Sequence, residues 1–323
     1  MVPPEEFLGI VPSWIIVYLA TLMCFGVATV ILYIRMFRPI LSGRPSERLD
    51  QLPRRILGSL PYIFGQKKVL QSTDVARDRA GVAHAIIFWG FLSFSLSYLI
   101  FIYGDSINNQ FSSSLLTAKG VKVFGAYLDI LSVSLLAIIL LAVLRRWVFT
   151  ANRLRFDLTQ KSEAAIILAL IALLMITTIL AEAFYVASAN THSHSFIGNA
   201  LGDWLLNIGI SDTSSSYVYE ASWWIHLVII LGFSVYIPIS KHVHLVGAPI
   251  AFVTRQLDAK GTLTTITDFE EAESFGASQM KDFNQKQLLD AFACAVCGRC
   301  TDVCPANLTG KMLSPMHVVQ GMR

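Results

Sequence analysis

Five apolar runs, at about residues 14–34, 82–103, 124–146, 164–187 and 222–240, govern what this chain can fold into. Roughly 20 apolar residues in a helix cross the hydrocarbon of a bilayer, because each residue advances about 1.5 Å, and each run is of that order. Backbone in lipid must satisfy its hydrogen bonds within itself, so such runs predict helices rather than open sheet. The composition agrees: 54% of the 323 residues are hydrophobic and 15% are charged, with a mean hydropathy of +0.58. The first run follows an acidic flank and is too long for the core of a signal peptide, so it reads as a retained helix.

An odd number of spans puts the two termini on opposite sides. Ten Lys and Arg lie between Arg35 and Arg79 and five between Arg145 and Lys161, against only Lys119 and Lys122 in the second loop and none from Ser188 to Ala221. The positive-inside rule makes the first and third loops cytoplasmic, which leaves the N-terminus outside and the tail after Lys241 cytoplasmic. A formal charge of +3 is too mild to suggest nucleic acid, so the expected surroundings are membrane lipid. The stretch Leu49–Leu57 can form a short interfacial helix, although topology-setting charge is the simpler reading of its arginines. The external stretch 188–221 reads as a loop, and Trp223 and Trp224 as interface anchors beyond it.

The expected fold is an all-α membrane protein: a five-transmembrane-helix bundle (1–248), a cytoplasmic linker (249–284) and a small α-helical ferredoxin-type iron-sulfur segment (285–323). A helix is expected over Gln285–Ala293. Of five cysteines, four fall within that last segment, in Cys294-Ala-Val-Cys297-Gly-Arg-Cys300-Thr-Asp-Val-Cys304-Pro305. This is the C-x2-C-x2-C-x3-C-P spacing of half a bacterial ferredoxin. Short spacings wrap the backbone around one [4Fe-4S] cluster, Gly298 allows the tight turn and Pro305 ends the loop. Tetrahedral zinc is the alternative for four close thiolates. In two-cluster ferredoxins the fourth cysteine ligates the other cluster. Cys304 therefore either completes a single-cluster site or implies a second motif, and the close at Gly321-Met322-Arg323 leads us to expect a chain cut short of it.

Ionisable residues inside spans are functional candidates, because burying them without a partner is costly. His84 lies early in the second span, His226 early in the fifth, and His242 and His244 at the fifth's cytoplasmic end. On a continuous helix, His226 and His244 share a face about 27 Å apart, with His242 turned about 160° away, although Pro238 can kink the helix and spoil that count. His84 and His244 sit at matching depth and can form the axial pair of a b-type haem. His192 or His194 from the external loop are the partners left for His226, which would make a second haem. Asp129 and Glu182 are weaker candidates for proton exchange, and Cys24 reads as a helix-packing residue.

The five spans, His226 and His244, and the run Tyr236-Ile-Pro238-Ile-Ser240-Lys241-His242-Val-His244 resemble the haem b domain of the respiratory nitrate reductase gamma subunit. The continuation Phe275-Gly276, then Cys294 to Pro305, then Leu313-Ser314-Pro315 resembles membrane Fe-S oxidoreductases related to heterodisulfide reductase subunits D and E. That fused group includes electron-transfer-flavoprotein:menaquinone oxidoreductases. The resemblance implies a prokaryotic cytoplasmic-membrane protein that moves electrons between a cytoplasmic redox protein, iron-sulfur centres, haem b and menaquinone or another quinone. The cytoplasmic partner would be an electron-transfer flavoprotein or a disulfide-reductase-like subunit. Two departures stand out: the second span has one histidine where the nitrate reductase subunit has two, and no second ferredoxin motif follows. A cytochrome b/Fe-S anchor subunit serving a separate catalytic subunit is the alternative function, and a transporter that needs no cofactor is a third.

Overall fold

The computed structural model describes residues 3–7, 10–46, 48–71, 80–108, 110–149, 158–258, 270, 277 and 279–323. A two-stranded antiparallel hairpin, β1 (Glu6–Phe7) and β2 (Val11–Pro12), precedes helix α1 (Ser13–Leu32). There follow α2 (Leu52–Ile63), α3 (Ala80–Ser97), α4 (Phe111–Val143), α5 (Leu158–Ala189), α6 (Phe196–Asn207) and α7 (Asp212–Tyr236). The C-terminal part carries α8 (His244–Val253), α9 (Gln285–Ala293) and three short helices, α10 (Arg299–Asp302), α11 (Pro305–Leu308) and α12 (Pro315–Gly321). The expected Gln285–Ala293 helix is present with those bounds.

Five helical stretches are long and apolar enough to cross a membrane: Ser13–Leu41, Ala80–Ile107, Phe111–Val148, Lys161–Ala189 and Asp212–Ile239. Large apolar side chains on them stay uncovered; Leu22, Met23, Leu99, Val123, Leu141 and Val228 are each more than half exposed. Apolar surface on this scale suits lipid rather than water.

The spans extend past the apolar runs. α4 starts at Phe111 and runs through a break at Thr117, whose φ is +64°, and α7 starts at Asp212. Hydropathy marks only the stretch that meets hydrocarbon, whereas a helix continues into water while its backbone hydrogen bonds hold. One consequence corrects an expectation: Trp223 lies well inside α7 and is only 2% exposed, so it is a core residue and not an interface anchor. A second correction concerns 188–221, where α6 forms. Ser195 caps it by accepting from Gly198 N, and Gly198 and Gly202 lie so close to Glu182 and Val186 of α5 that an added Cβ would clash. Cys24 packs against the cluster around Val17, Ala181 and Trp223, as its packing reading expects.

The chain divides into two compact units, Met1–Gly26 with Thr73–Ser234, and Val27–Ser72 with Val235–Arg323. The first has its core around Val17, Ala181, Tyr219, Trp223, Leu227 and Leu231. The second is built on Met36, Ile40, Val243, Leu288, Leu289 and Phe292. In this second unit α2 exceeds a lipid-surface role. Arg55 is 3% exposed, and its guanidinium bonds the Asp50 carboxylate at 2.7 Å and the Arg255 carbonyl. That guanidinium holds the Asp50 carboxyl below its ordinary value.

Candidate cofactor-binding sites

The second unit positions the cysteine motif through α9. Asn284 opens that helix with a capping box: its side chain accepts from Gln287 N, and the Gln287 side chain accepts from Asn284 N, both at 2.9 Å. A short parallel bridge, Arg44 N to Phe283 O and Gln285 N to Arg44 O, ties this cap to the segment after α1. The buried face of α9, Leu288, Leu289 and Phe292, joins the second core. α8 approaches so closely that a Cβ on Gly247 would stand 3.0 Å from the Phe292–Ala293 backbone.

Cys294 ends α9, and the chain then turns twice through left-handed backbone, at Val296 (φ +53°) and Gly298 (φ +75°). Glycine pays nothing there, but a β-branched valine does, and strain of this kind collects at functional sites. Successive turns of alternating hand aim backbone N–H groups into one concavity, a recurring frame for iron-sulfur clusters. Cys297 and Cys300 are exposed, and Cys294 and Cys304 are partly covered. Burial pushes the Cys294 thiol above its ordinary value, and the thiols of Cys297 and Cys300 lie near enough to raise it further. Among the described residues no three His, Cys, Asp or Glu side chains converge as a site for one metal ion. A cubane draws its thiolates less tightly together than a single ion does, and the donor set and paired left-handed turns fit it. Thr301 Oγ and Ser314 Oγ, 2.9 Å apart, tie the loop to the start of α12, where His317 is exposed.

The histidines fall into different settings. His84 is exposed on the second turn of α3. The expected continuous helix from His226 to His244 is interrupted: α7 stops at Tyr236, 3-10 turns occupy Ile237–Ile239 and Lys241–Val243, and Ser240 between them is extended. Pro238 has no N–H to continue the ladder, so facing angles counted across this break do not hold. His242 and His244 consequently have ring centroids only 5.4 Å apart. His244 Nδ1 donates to the Lys241 carbonyl at 2.7 Å, which makes Nε2 its acceptor nitrogen. Burial, with the charges of Lys241 and Arg323, holds its imidazole below the ordinary value. A neutral ring oriented through Nδ1 is the form an axial iron ligand needs, so His244 fits haem.

His226 does not fit in the same way. It is 3% exposed, with Nδ1 2.8 Å from Thr177 Oγ1 and Nε2 2.9 Å from Tyr98 Oη. The single Thr177 hydroxyl proton goes to the carbonyls of Leu173 or Leu174, at 2.7 and 3.1 Å. Its oxygen must therefore accept from His226 Nδ1–H, and Nε2 accepts from the Tyr98 hydroxyl. The lone pair that would bind iron is already engaged. Nothing in the sequence shows that Thr177 and Tyr98 meet this ring, since the pairing depends on how three helices rotate against one another.

The other candidates have structural partners. His192 lies 3.2 Å from Asp203, both largely exposed, and His194 is exposed. Asp129 accepts from Ser195 Oγ at 2.8 and 3.0 Å and from Ile197 N at 2.9 Å, which places its carboxylate at the N-terminus of α6. Phe275 and Gly276 lie outside the described residues.

No family model matches the chain, and no solved structure does. It is 31% identical over 95% of its length to "Probable iron-sulfur-binding oxidoreductase FadF" of Bacillus subtilis, covering 41% of that protein. It is 27% identical over 86% of its length to "EtfAB:quinone oxidoreductase" of Syntrophomonas wolfei, covering 38% of it. A shorter stretch, 20% of the chain, is 38% identical to "Probable membrane-anchored ferredoxin" of Chromohalobacter salexigens, over 10% of that protein. The chain thus spans about two fifths of the length of the first two relatives. Two of these relatives are named as oxidoreductases and one as a membrane-anchored ferredoxin, and this chain carries five membrane-length helices.

Proposed function

We propose that the chain is the membrane part of a quinone-linked iron-sulfur oxidoreductase, carrying electrons between a cytoplasmic redox protein and the quinone pool. The four-cysteine loop carries this reading: a strained, twice left-handed turn presents the thiols of a ferredoxin motif on a chain with five membrane-length helices. Cys294, Cys297, Cys300 and Cys304 hold a [4Fe-4S] cluster. By their places in the sequence, His84 and His244 are the residues that would hold haem b, with His242 as the alternative to His244. When bound, these groups supply one-electron chemistry. The residues themselves set geometry: the Lys241 carbonyl orients His244, and the turns at Val296 and Gly298 gather the thiolates.

The basic first and third loops support a cytoplasmic motif and an external N-terminus in a prokaryotic cytoplasmic membrane. The name of the Syntrophomonas relative, which joins EtfAB to quinone, supports an electron-transfer flavoprotein as the cytoplasmic partner and menaquinone or another quinone as the membrane one. A disulfide-reductase-like partner would draw electrons in the opposite direction. The likeness to a membrane-anchored ferredoxin supports a second reading, an anchor that relays electrons to a separate catalytic subunit. Quinone-dependent turnover by the isolated chain would rule that reading out.

The test is the purified full chain, with iron, acid-labile sulfide and zinc counted and the reduced optical and EPR spectra taken. Iron with sulfide, a cluster EPR signal and a reduced b-type band are expected, and Cys300→Ser should remove the signal and the cluster iron. Zinc in place of iron, or an iron content indifferent to Cys300→Ser, would sink the cluster assignment.

A further inference from the structure

We propose that α2 lies on an anionic lipid surface, with its apolar side among the headgroups and its polar side built into the second unit.

A helix packed on a protein in water buries its apolar stripe and exposes its polar one. α2 does the reverse. Arg55 and Ser59 are 3% and 1% exposed, whereas Leu52, Ile56, Leu57 and Leu60 are 39 to 66% exposed. At about 100° per residue these four fall within an arc of roughly 140°, and Arg55 and Ser59 lie outside it. Pro53, in the same arc, is exposed too. The polar face is held by specific bonds. Arg55 donates to Asp50 and to the Arg255 carbonyl just past α8, Ser59 Oγ donates to the Ile56 carbonyl at 2.7 Å, and the Tyr62 ring stacks on that of Phe252 in α8 at 5.3 Å. The helix therefore cannot roll over to hide its leucines, and that face needs a cover other than water.

Two observations name the cover. From Gln51 to Gln71 the chain carries Arg54, Arg55, Lys67 and Lys68 and no Asp or Glu, and Arg54, Lys67 and Lys68 are exposed. An apolar strip with a rim of a single, positive sign complements anionic headgroups over acyl chains. The second observation is continuity. Ten residues separate Leu52 from the end of the first membrane-length stretch at Leu41, and Ile34 and Leu41 near that end are more than half exposed. α2 thus follows closely on a surface that already suits lipid, and at 12 residues it is too short to cross a bilayer itself.

The consequence reaches the cysteine loop. α2 holds α8 through Arg55 and Tyr62, α8 meets α9 at Gly247, and α9 ends at Cys294. A lipid seat under α2 fixes the height of the four thiols above the membrane, whichever metal they bind.

The test reconstitutes the full chain in phosphatidylcholine vesicles with and without phosphatidylglycerol, with a dansyl-bearing amino acid in place of Leu57 or, separately, of Lys68. At 57 the emission should shift to the blue. Phospholipids brominated near the headgroup end of the acyl chain should quench it more than those brominated at the far end, as for a helix buried roughly 5–10 Å into the interface. At 68 the emission should match water. Phosphatidylglycerol should increase the quenching at 57, and Arg54→Gln, Lys67→Gln and Lys68→Gln together should abolish that gain. The unaltered chain, irradiated with a photoactivatable phosphatidylglycerol, should carry lipid adducts within α2 by mass spectrometry. Water-like emission at 57 in both kinds of vesicle, or adducts on the spans and none on α2, would overturn the proposal and leave the face to a protein partner. Quenching that ignores phosphatidylglycerol would overturn the anionic assignment, and quenching strongest from chain-end bromines would overturn the surface position.

Discussion

A few side chains decide the chemistry, and they differ in the partners the fold gives them. His244 gives its Nδ1 proton to its own turn and keeps a neutral ring, whereas His226 has both nitrogens spent on Thr177 and Tyr98. His244→Ala should therefore remove the b-type band, and the pyridine haemochrome assay checks this; a full haem content would exclude the residue as a ligand. Among the cysteines, exposure and burial set an order. In cluster-free protein, iodoacetamide should modify Cys297 and Cys300 first and Cys294 last, as read by mass spectrometry over time. Because burial raises the Cys294 thiol, its thiolate is scarce at neutral pH. Its labelling should keep rising as pH passes above the ordinary thiol range near 8.5; equal rates at all three sites would contradict the burial.

At the scale of elements, the motif depends on where α9 sits. α8 and α9 meet backbone to backbone at Gly247, where a Cβ has no ordinary van der Waals space. Gly247→Val should push α9 off its seat and lower cluster iron, while Gly232→Val, at a glycine with nothing within 4 Å, should not. Arg55 is the polar counterpart. Truncating it to Ala leaves the Arg255 carbonyl and Asp50 without that guanidinium. The expected outcome is a drop in thermal stability measured in detergent. The α9 helix was legible in sequence because its cap and its apolar residues are local signals. α6 was not, because its N-terminus is completed by Asp129, far away in the chain.

For the whole molecule, five apolar runs became five membrane-length helices. The proposed orientation, with the N-terminus outside, rests on the lysine and arginine counts. A cysteine introduced at Ser113, before the apolar part of α4, should be modified by a membrane-impermeant maleimide added outside intact cells. Labelling only after lysis would reverse the assigned topology. The spans were readable because transfer to lipid depends on composition over some twenty residues and not on partners. Their true ends were not, and Trp223 moved from the expected interface to the core because α7 continues beyond its apolar stretch.

By itself, then, the sequence determined the class of environment, the number of spans and the four-thiol motif, since each depends on residues near one another in the chain. The tertiary structure decided what each histidine can do. A ring nitrogen bonds to whatever rotates into reach, and at His226 that depends on a threonine in α5 and a tyrosine after α3, which no local pattern pairs. The same fold turned Asp129 from a candidate proton carrier into a helix cap and Arg55 from a topology signal into a buried link between segments.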